Sequence, residues 1–179
     1  MQNKNIICIA FVTALILMVP LVAMQFTDEV DWDLFDFILM GALLFGIGLA
    51  YELVARKSNA IVYRAAVGVA LAAAFLLAWV NGAVGIIGNE GNSANLMYGG
   101  VLAVGIIGAL TARLRPHGMA RTLFTMALAQ ALVPVITLII WPQISWGAAG
   151  VSGVFVLNAF FVMLFIVSGL LFRHVTHFA

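Results

Sequence analysis

The sequence carries little charge. Only 8% of its 179 residues are charged, with eight Lys and Arg against seven Asp and Glu. Nucleic-acid-binding domains and intrinsically disordered chains both depend on abundant charge, so the composition excludes both classes and no nucleic-acid partner is expected. The hydrophobic share of 65% also exceeds the roughly 45–50% that is typical of water-soluble domains. The composition therefore predicts an integral membrane protein.

Cysteine is nearly absent as well. Cys8 is the only one, and it lies inside the first apolar run, which excludes an internal disulfide bond and a cysteine-based metal cluster. The sequence lacks a Gly-x-Ser-x-Gly elbow, a His-Glu-x-x-His zinc motif and a glycine-rich phosphate loop. No histidine lies inside an apolar run, where a haem ligand would be needed. We therefore expect no cofactor and no catalytic residue that sequence motifs reveal, and we leave any metal unassigned.

Six apolar runs are long enough to cross a bilayer, whose hydrocarbon core of about 30 Å requires about 20 helical residues. None of them alternates in the way that a transmembrane strand does. The expected fold class is an all-α integral membrane protein, a compact bundle of six transmembrane helices that forms a single transmembrane domain over residues 1–179. The predicted spans are approximately 5–25, 34–55, 61–79 with an extension to 88 left open, 96–112, 120–141 and 147–172.

The charges separate by side in this six-span arrangement. All eight basic residues and Glu52 fall on one side, and the other six acidic residues fall on the opposite side. Short loops rich in Lys and Arg stay in the cytoplasm, so both termini are expected to be cytoplasmic, in a bacterial plasma (inner) membrane. Glu52 is expected to pair with Arg56, four residues along the same helix. The alternative is that the first run is a cleaved signal peptide, which would leave five spans.

Helix association in lipid depends on small residues and on hydrogen bonds between helices. The hexapeptide Ala-Val-Gly-Ile-Ile-Gly occurs twice, at 83–88 and at 103–108, and we interpret both copies as packing chemistry. Gln130 and Asn158 lie near the midpoints of the fifth and sixth spans, where a hydrogen bond between them is expected. Alanine recurs every fourth residue in the third span and predicts one small packing stripe, formed by Ala66, Ala70, Ala74 and Ala78.

The densest polar segment of the chain is 81–95, which follows a glycine-spaced apolar stretch. One interpretation is a partly re-entrant loop that forms a polar vestibule or cation site, with a carboxylate and amide oxygens as ligands. The other is a solvated hairpin in which Asn95 caps the fourth helix. Together with the two amides of the fifth and sixth spans, this segment supplies the candidate solute-binding or cation-binding residues: Glu90, Asn81, Asn89, Asn92, Gln130 and Asn158.

Two function classes follow from these features. The first is a small channel or transporter for a small cation or polar solute, with an acidic, Asn-rich outer mouth formed by the carboxylates of 28–36 and by Glu90. The second is a non-transporting accessory or assembly subunit of a membrane complex, in which the polar residues serve only helix packing. The expected partners are the lipid bilayer and either further copies of the chain or another membrane protein. An intramembrane enzyme with an unrecognised site is a more distant alternative.

Overall fold

The computed structural model describes residues 3–27 and 30–177, and within these residues all regular structure is helical. Six of the helices are long and apolar enough to cross a membrane, which confirms the expected helical class and indicates an integral membrane protein. Asp28 and Glu29, assigned above to the acidic mouth, lie outside the described residues. The helices are α1 (Asn3–Ala23), α2 (Leu34–Ala55), α3 (Ile61–Ala83), α4 (Leu96–Thr111), α5 (Pro116–Ile140) and α6 (Gly150–His177), with a short 3-10 turn (Ser93–Asn95) before α4.

α2 starts at Leu34, where the second predicted span begins. Hydrogen bonds of the residues around this position explain why the helix starts there. The Asp33 carboxylate accepts a hydrogen bond from the backbone N–H of Asp36 at 2.9 Å, and the Asp36 carboxylate accepts one from the N–H of Asp33 at 3.0 Å. This reciprocal capping box satisfies two backbone donors that the helix itself cannot pair. It holds both carboxylates at the positive end of the helix dipole.

Other helix boundaries differ from the predicted spans. α3 ends at Ala83, so the extension to residue 88 does not form. α5 starts at Pro116 rather than at 120, because proline is well suited to the first turn of a helix. The chain reverses between α4 and α5 through Arg113 and Leu114, which have left-handed φ values of 50° and 59°. α6 continues to His177, since a helix need not stop where its apolar run stops.

The chain divides into two compact units, Met1–Arg56 and Lys57–Ala179. In the first unit α1 packs against α2. The Asn5 amide donates a hydrogen bond to the carboxylate of Glu52, which also pairs with Arg56. The expected ion pair between Glu52 and Arg56 is therefore confirmed, whereas the expectation of a single domain stays a prediction.

In the second unit α6 packs against both α3 and α5, and α5 packs against α4. The hydroxyl of Tyr63, in the first turn of α3, donates to the backbone oxygen of Leu114 at 2.9 Å, and its ring meets that of Phe172 edge-on at 5.3 Å. Near them, Ser168 of α6 donates to the Ala66 oxygen at 2.8 Å. The start of α3, the α4–α5 turn and the end of α6 thus share one end of the unit, the turn end. The segments 84–95 and 141–149 lie at the opposite end, the loop end.

The predicted alanine stripe of α3 is wrong. Of its four members only Ala66 is fully buried, while the buried face continues through Ala73 and Leu77. Spacing by four residues drifts around a helix that has 3.6 residues per turn, so a strict four-residue stripe leaves the packed face within two turns. Ala70, Ala74 and Ala78 are accordingly half-buried.

Candidate functional site

The first copy of the hexapeptide forms a loop that folds back onto the second unit. Gly85 and Gly88 have left-handed φ values of 68° and 77°, which glycine adopts without steric cost. Between them Ile86 and Ile87 are only 5% and 0% exposed. The segment is therefore neither a continuation of α3 nor a hairpin solvated along its whole length.

Asn95 holds this loop in place. Its side-chain oxygen accepts from the N–H of Ile87 at 2.9 Å, and its amide nitrogen donates to the backbone oxygens of Ile87 at 3.2 Å and Asn89 at 2.7 Å. The expectation that Asn95 caps the fourth helix is wrong, because its side chain is used by the loop. Asn92 instead caps the 3-10 turn by accepting from the N–H of Ala94 at 3.0 Å.

The loop also contacts the connection between α5 and α6. A Cβ atom placed on Gly147 would lie 2.5 Å from the backbone oxygen of Gly88, and one placed on Gly88 would lie 2.7 Å from the oxygen of Ser145. Real Cβ atoms do not approach backbone oxygens so closely, so both positions require glycine. The loop and the connection between α5 and α6 therefore pack backbone against backbone at the loop end.

A second polar cluster, here called the amide–phenol cluster, lies in the core between α4, α5 and α6. It consists of Tyr98, Gln130 and Asn158, which are 0%, 0% and 2% exposed. Gln130 Nε2 donates to Asn158 Oδ1 at 2.9 Å, which confirms the expected bond between these two helices. The Tyr98 hydroxyl donates to Asn158 Oδ1 at 3.2 Å and accepts from Asn158 Nδ2 at 3.0 Å. Asn158 Nδ2 also donates to the backbone oxygen of Val154 at 2.8 Å.

Among the described residues, two buried side-chain atoms have no hydrogen-bond partner, Gln130 Oε1 and Asn81 Oδ1. Gln130 Oε1 belongs to the amide–phenol cluster. Asn81 lies in the last turn of α3, where its amide nitrogen donates to the Asn95 backbone oxygen at 3.3 Å. Both atoms are carbonyl-type acceptors, so each can receive a hydrogen bond from a donor that the protein does not supply.

The structure therefore divides the sequence-predicted set. It brings Gln130 and Asn158 together in the core, and it places Asn81 and Asn92 in the hydrogen bonds of the loop end. Asn89 and Glu90 are exposed on the loop. Among the described residues no hydrogen bond joins the carboxylate of Glu90 to the amide–phenol cluster.

Tyr98 is the functional candidate that sequence reasoning missed. A tyrosine near the start of an apolar helix is typical of an interfacial aromatic belt, and that pattern gives it no link to Gln130 or Asn158. The one general rule that could have pointed to Tyr98 is that a buried tyrosine hydroxyl needs a hydrogen-bond partner. Finding that partner requires knowing which helices are neighbours.

The cluster is uncharged, and no group of three or more His, Cys, Asp or Glu side chains is placed to hold a metal ion within residues 3–27 and 30–177. Comparisons with protein-family models, curated proteins and solved structures find no match to this chain. The functional argument therefore depends on the chemistry of these side chains.

Proposed function

We propose that this protein is a small channel or transporter for a small, uncharged polar solute, and that the amide–phenol cluster is its binding site. The observation that carries this proposal is the fully buried Gln130 Oε1 atom, which no donor of the described residues reaches.

A buried acceptor without a donor is energetically unfavourable. Leaving such a group unpaired costs about 1–3 kcal/mol, whereas an apolar side chain of similar shape would avoid this cost. An amide N–H or hydroxyl of a bound solute would supply the missing hydrogen bond to Gln130. Asn158, which Tyr98 holds in turn, fixes the orientation of the Gln130 amide through its nitrogen, so the free oxygen has a defined position.

The neutral character of the cluster favours an uncharged solute. A cation that enters an apolar core loses its hydration, and a carboxylate normally offsets that loss. Glu90, the only acidic side chain of Lys57–Ala179, is exposed on the loop. Of the two solute classes considered from sequence, the polar solute is therefore favoured over the cation.

The loop end supplies the side of entry in this proposal. Asn158 lies eight residues into α6 and Gln130 lies ten residues before the end of α5, which places the cluster about 12–15 Å from the loop end at helical rise. Asn81 presents the other free acceptor at that end. A solute entering there would exchange hydrogen bonds first with Asn81 and then with Gln130.

The proposed orientation follows the charges. The turn end, which carries the arginines, faces the cytoplasm, and the loop end faces outward in a bacterial inner membrane.

A flux measurement tests the proposal. Purified protein is reconstituted into liposomes, and permeation of urea and glycerol is followed by stopped-flow light scattering. We expect faster permeation than in protein-free liposomes for at least one of the two probes. Gln130→Met keeps the shape of the side chain but removes its amide, which is both the free acceptor and the donor to Asn158. We expect it to reduce this protein-dependent flux about tenfold, which is roughly the effect of losing the hydrogen bond to the solute.

Gln143→Met is the matched control, because Gln143 is exposed in the connection between α5 and α6 and the same substitution there should leave the flux unchanged. Glu90→Gln should also leave it unchanged. Equal flux in wild type and Gln130→Met would contradict the proposed site. Potassium flux that disappears in Glu90→Gln would instead support a cation pathway.

One observation favours the accessory-subunit alternative. The Asn158 side chain is fully paired within the protein, as expected for a residue that only holds helices together. That function predicts a stable partner that co-purifies in mild detergent from native membranes. Recovery of monodisperse protein without a partner would count against it.

A further inference from the structure

A groove runs along the seam between α4 and α5 at the turn end. It has a volume of about 480 Å³, within the roughly 300–1,000 Å³ of ligand-binding clefts. Val104, Ile107 and Gly108 line it from α4, and Arg121, Thr122 and Thr125 line it from α5. Each set has the spacing of one helix face, so the groove follows the helix axes.

The groove is open to the surroundings of the protein. The side chain of Ile107 is 61% exposed, and Arg121 and Thr125 are also exposed. The close approach of the helices forms its floor, because a Cβ atom on Gly108 would lie 2.4 Å from Cγ2 of Thr122. An apolar trough with an arginine at one end matches the shape and polarity of a lipid.

The positive charge at this end has no acidic counterpart within the unit. Five of the six basic side chains of Lys57–Ala179 lie in the elements that meet at the turn end, and the sixth, Lys57, lies four residues before α3. The one acidic side chain of that range, Glu90, lies at the loop end. The start of α5 adds partial positive charge, since no side chain caps it. The six basic residues are Lys57, Arg64, Arg113, Arg115, Arg121 and Arg173.

The position of Arg121 suits a phosphate at the membrane surface. Arg121 is five residues beyond Pro116, the first residue of α5, so it lies about 7.5 Å along the helix from its start. In a bilayer whose surface passes through the start of α5, Arg121 would lie at the boundary between headgroups and acyl chains, at a depth of about 5–10 Å. The guanidinium group can donate two hydrogen bonds to one phosphate.

We infer that this groove is a binding site for one anionic phospholipid. The phosphate binds the guanidinium of Arg121, and one acyl chain lies in the trough beside Val104 and Ile107. This site is separate from the amide–phenol cluster and does not depend on the proposed transport function.

Native mass spectrometry of the detergent-purified protein tests the inference, with dioleoylphosphatidylglycerol and dioleoylphosphatidylcholine as titrants. Wild type should bind one molecule of the phosphatidylglycerol about tenfold more tightly than the phosphatidylcholine. Arg121→Gln should weaken phosphatidylglycerol binding about fivefold to tenfold. Arg121→Lys retains the charge, so its affinity for phosphatidylglycerol should fall less. Thr125→Phe fills the groove without changing charge and should weaken binding of the first lipid to a similar extent.

Arg173→Gln is the matched control, because it removes the same charge from the same end but not from the groove. We expect it to change the affinity less than twofold. Equal losses in Arg121→Gln and Arg173→Gln would show that only bulk charge attracts the lipid and would overturn the site. Competition by inorganic phosphate at millimolar concentration would also overturn it, since it would identify a free anion rather than a lipid as the ligand. Circular dichroism identifies any variant that fails to fold, and Thr125→Phe then provides the independent test.

Discussion

The same six residues, Ala-Val-Gly-Ile-Ile-Gly, adopt two structures in this protein. At 103–108 they form regular helix within α4, and at 83–88 they leave α3 and turn into the loop. The two isoleucines are 63% and 61% exposed in the helical copy, but 5% and 0% exposed in the loop copy. Identical local sequence therefore has opposite burial, so the surroundings of the hexapeptide decide its structure rather than its own propensity.

The surroundings differ in which partners the backbone finds. In the loop copy, Asn95 offers a donor and an acceptor that pair with both backbone groups of Ile87. In the helical copy the backbone pairs within α4, and the glycines face α5, where Cβ atoms on Gly105 and Gly108 would lie 2.7 Å from Met126 and 2.4 Å from Thr122. Glycine serves chain reversal in one copy and close helix approach in the other.

Among substitutions in the two copies, we expect Gly85→Ala in the loop copy to lower the free energy of unfolding most. The new Cβ would lie 2.3 Å from backbone atoms of Asn89, at a left-handed φ of 68°. We expect a loss of about 4 kcal/mol in the free energy of unfolding, from the unfavourable φ together with the backbone clash. Thermal unfolding in mild detergent, followed by tryptophan fluorescence, measures it.

Gly82→Ala is the control for this change, three residues earlier in α3, where a Cβ atom meets nothing within 4 Å. It should be neutral or slightly stabilising, because alanine favours helix over glycine. Similar losses in both variants would mean that the loop conformation is not what requires Gly85.

Asn95→Ala should have the next largest effect, since it removes the three hydrogen bonds that the Asn95 side chain makes with the loop. The N–H of Ile87 and the oxygens of Ile87 and Asn89 would lose their partner, and we expect a destabilisation of about 3 kcal/mol. Asn89→Ala tests the same loop through an exposed side chain and should cost little. Hydrogen exchange of the Ile87 amide adds a local readout: exchange as slow as in wild type would show that Asn95 does not hold the loop.

The smallest effects are expected in the helical copy. Gly108→Ala places a Cβ against the β-branched side chain of Thr122, which cannot bend away, and should cost about 1–2 kcal/mol. Gly105→Ala meets the flexible end of Met126 instead and should change stability by less than about 1 kcal/mol. The ranking from thermal unfolding checks this difference. A larger loss for Gly105→Ala would indicate that the flexibility of the neighbour does not decide the cost.

Sequence predicted the features that depend on one helix at a time. Apolar run lengths located the six long helices, and the second predicted span begins at residue 34, which is the first residue of α2. The ion pair of Glu52 with Arg56 followed from four-residue spacing alone. Each of these is set by neighbours along the chain, where helical geometry fixes the distances.

Features that depend on tertiary neighbours could not be predicted in the same way. The loop copy resembled helix in composition, and its turn depends on Asn95, whose backbone contacts no local pattern reveals. The bond between Gln130 and Asn158 was expected because amides are rare at such depth, but Tyr98 comes from α4, which sequence could not place beside α6. The candidate solute site therefore depends on which helices are neighbours in the core, and the periodicity of the sequence does not specify this.

The separation of charge in Lys57–Ala179 also has an electrical consequence. Glu90 lies at one end of the unit, and five of its six basic side chains lie in the elements at the other. In a bilayer, moving one of these charges from one side of the membrane to the other would change its energy by about 2.3 kcal/mol per 100 mV of membrane potential. An inside-negative voltage would hold the cationic end on the cytoplasmic face. Inverting the unit would then require moving these five cations through hydrocarbon against that field, so its orientation would be set once, during insertion, and kept afterwards.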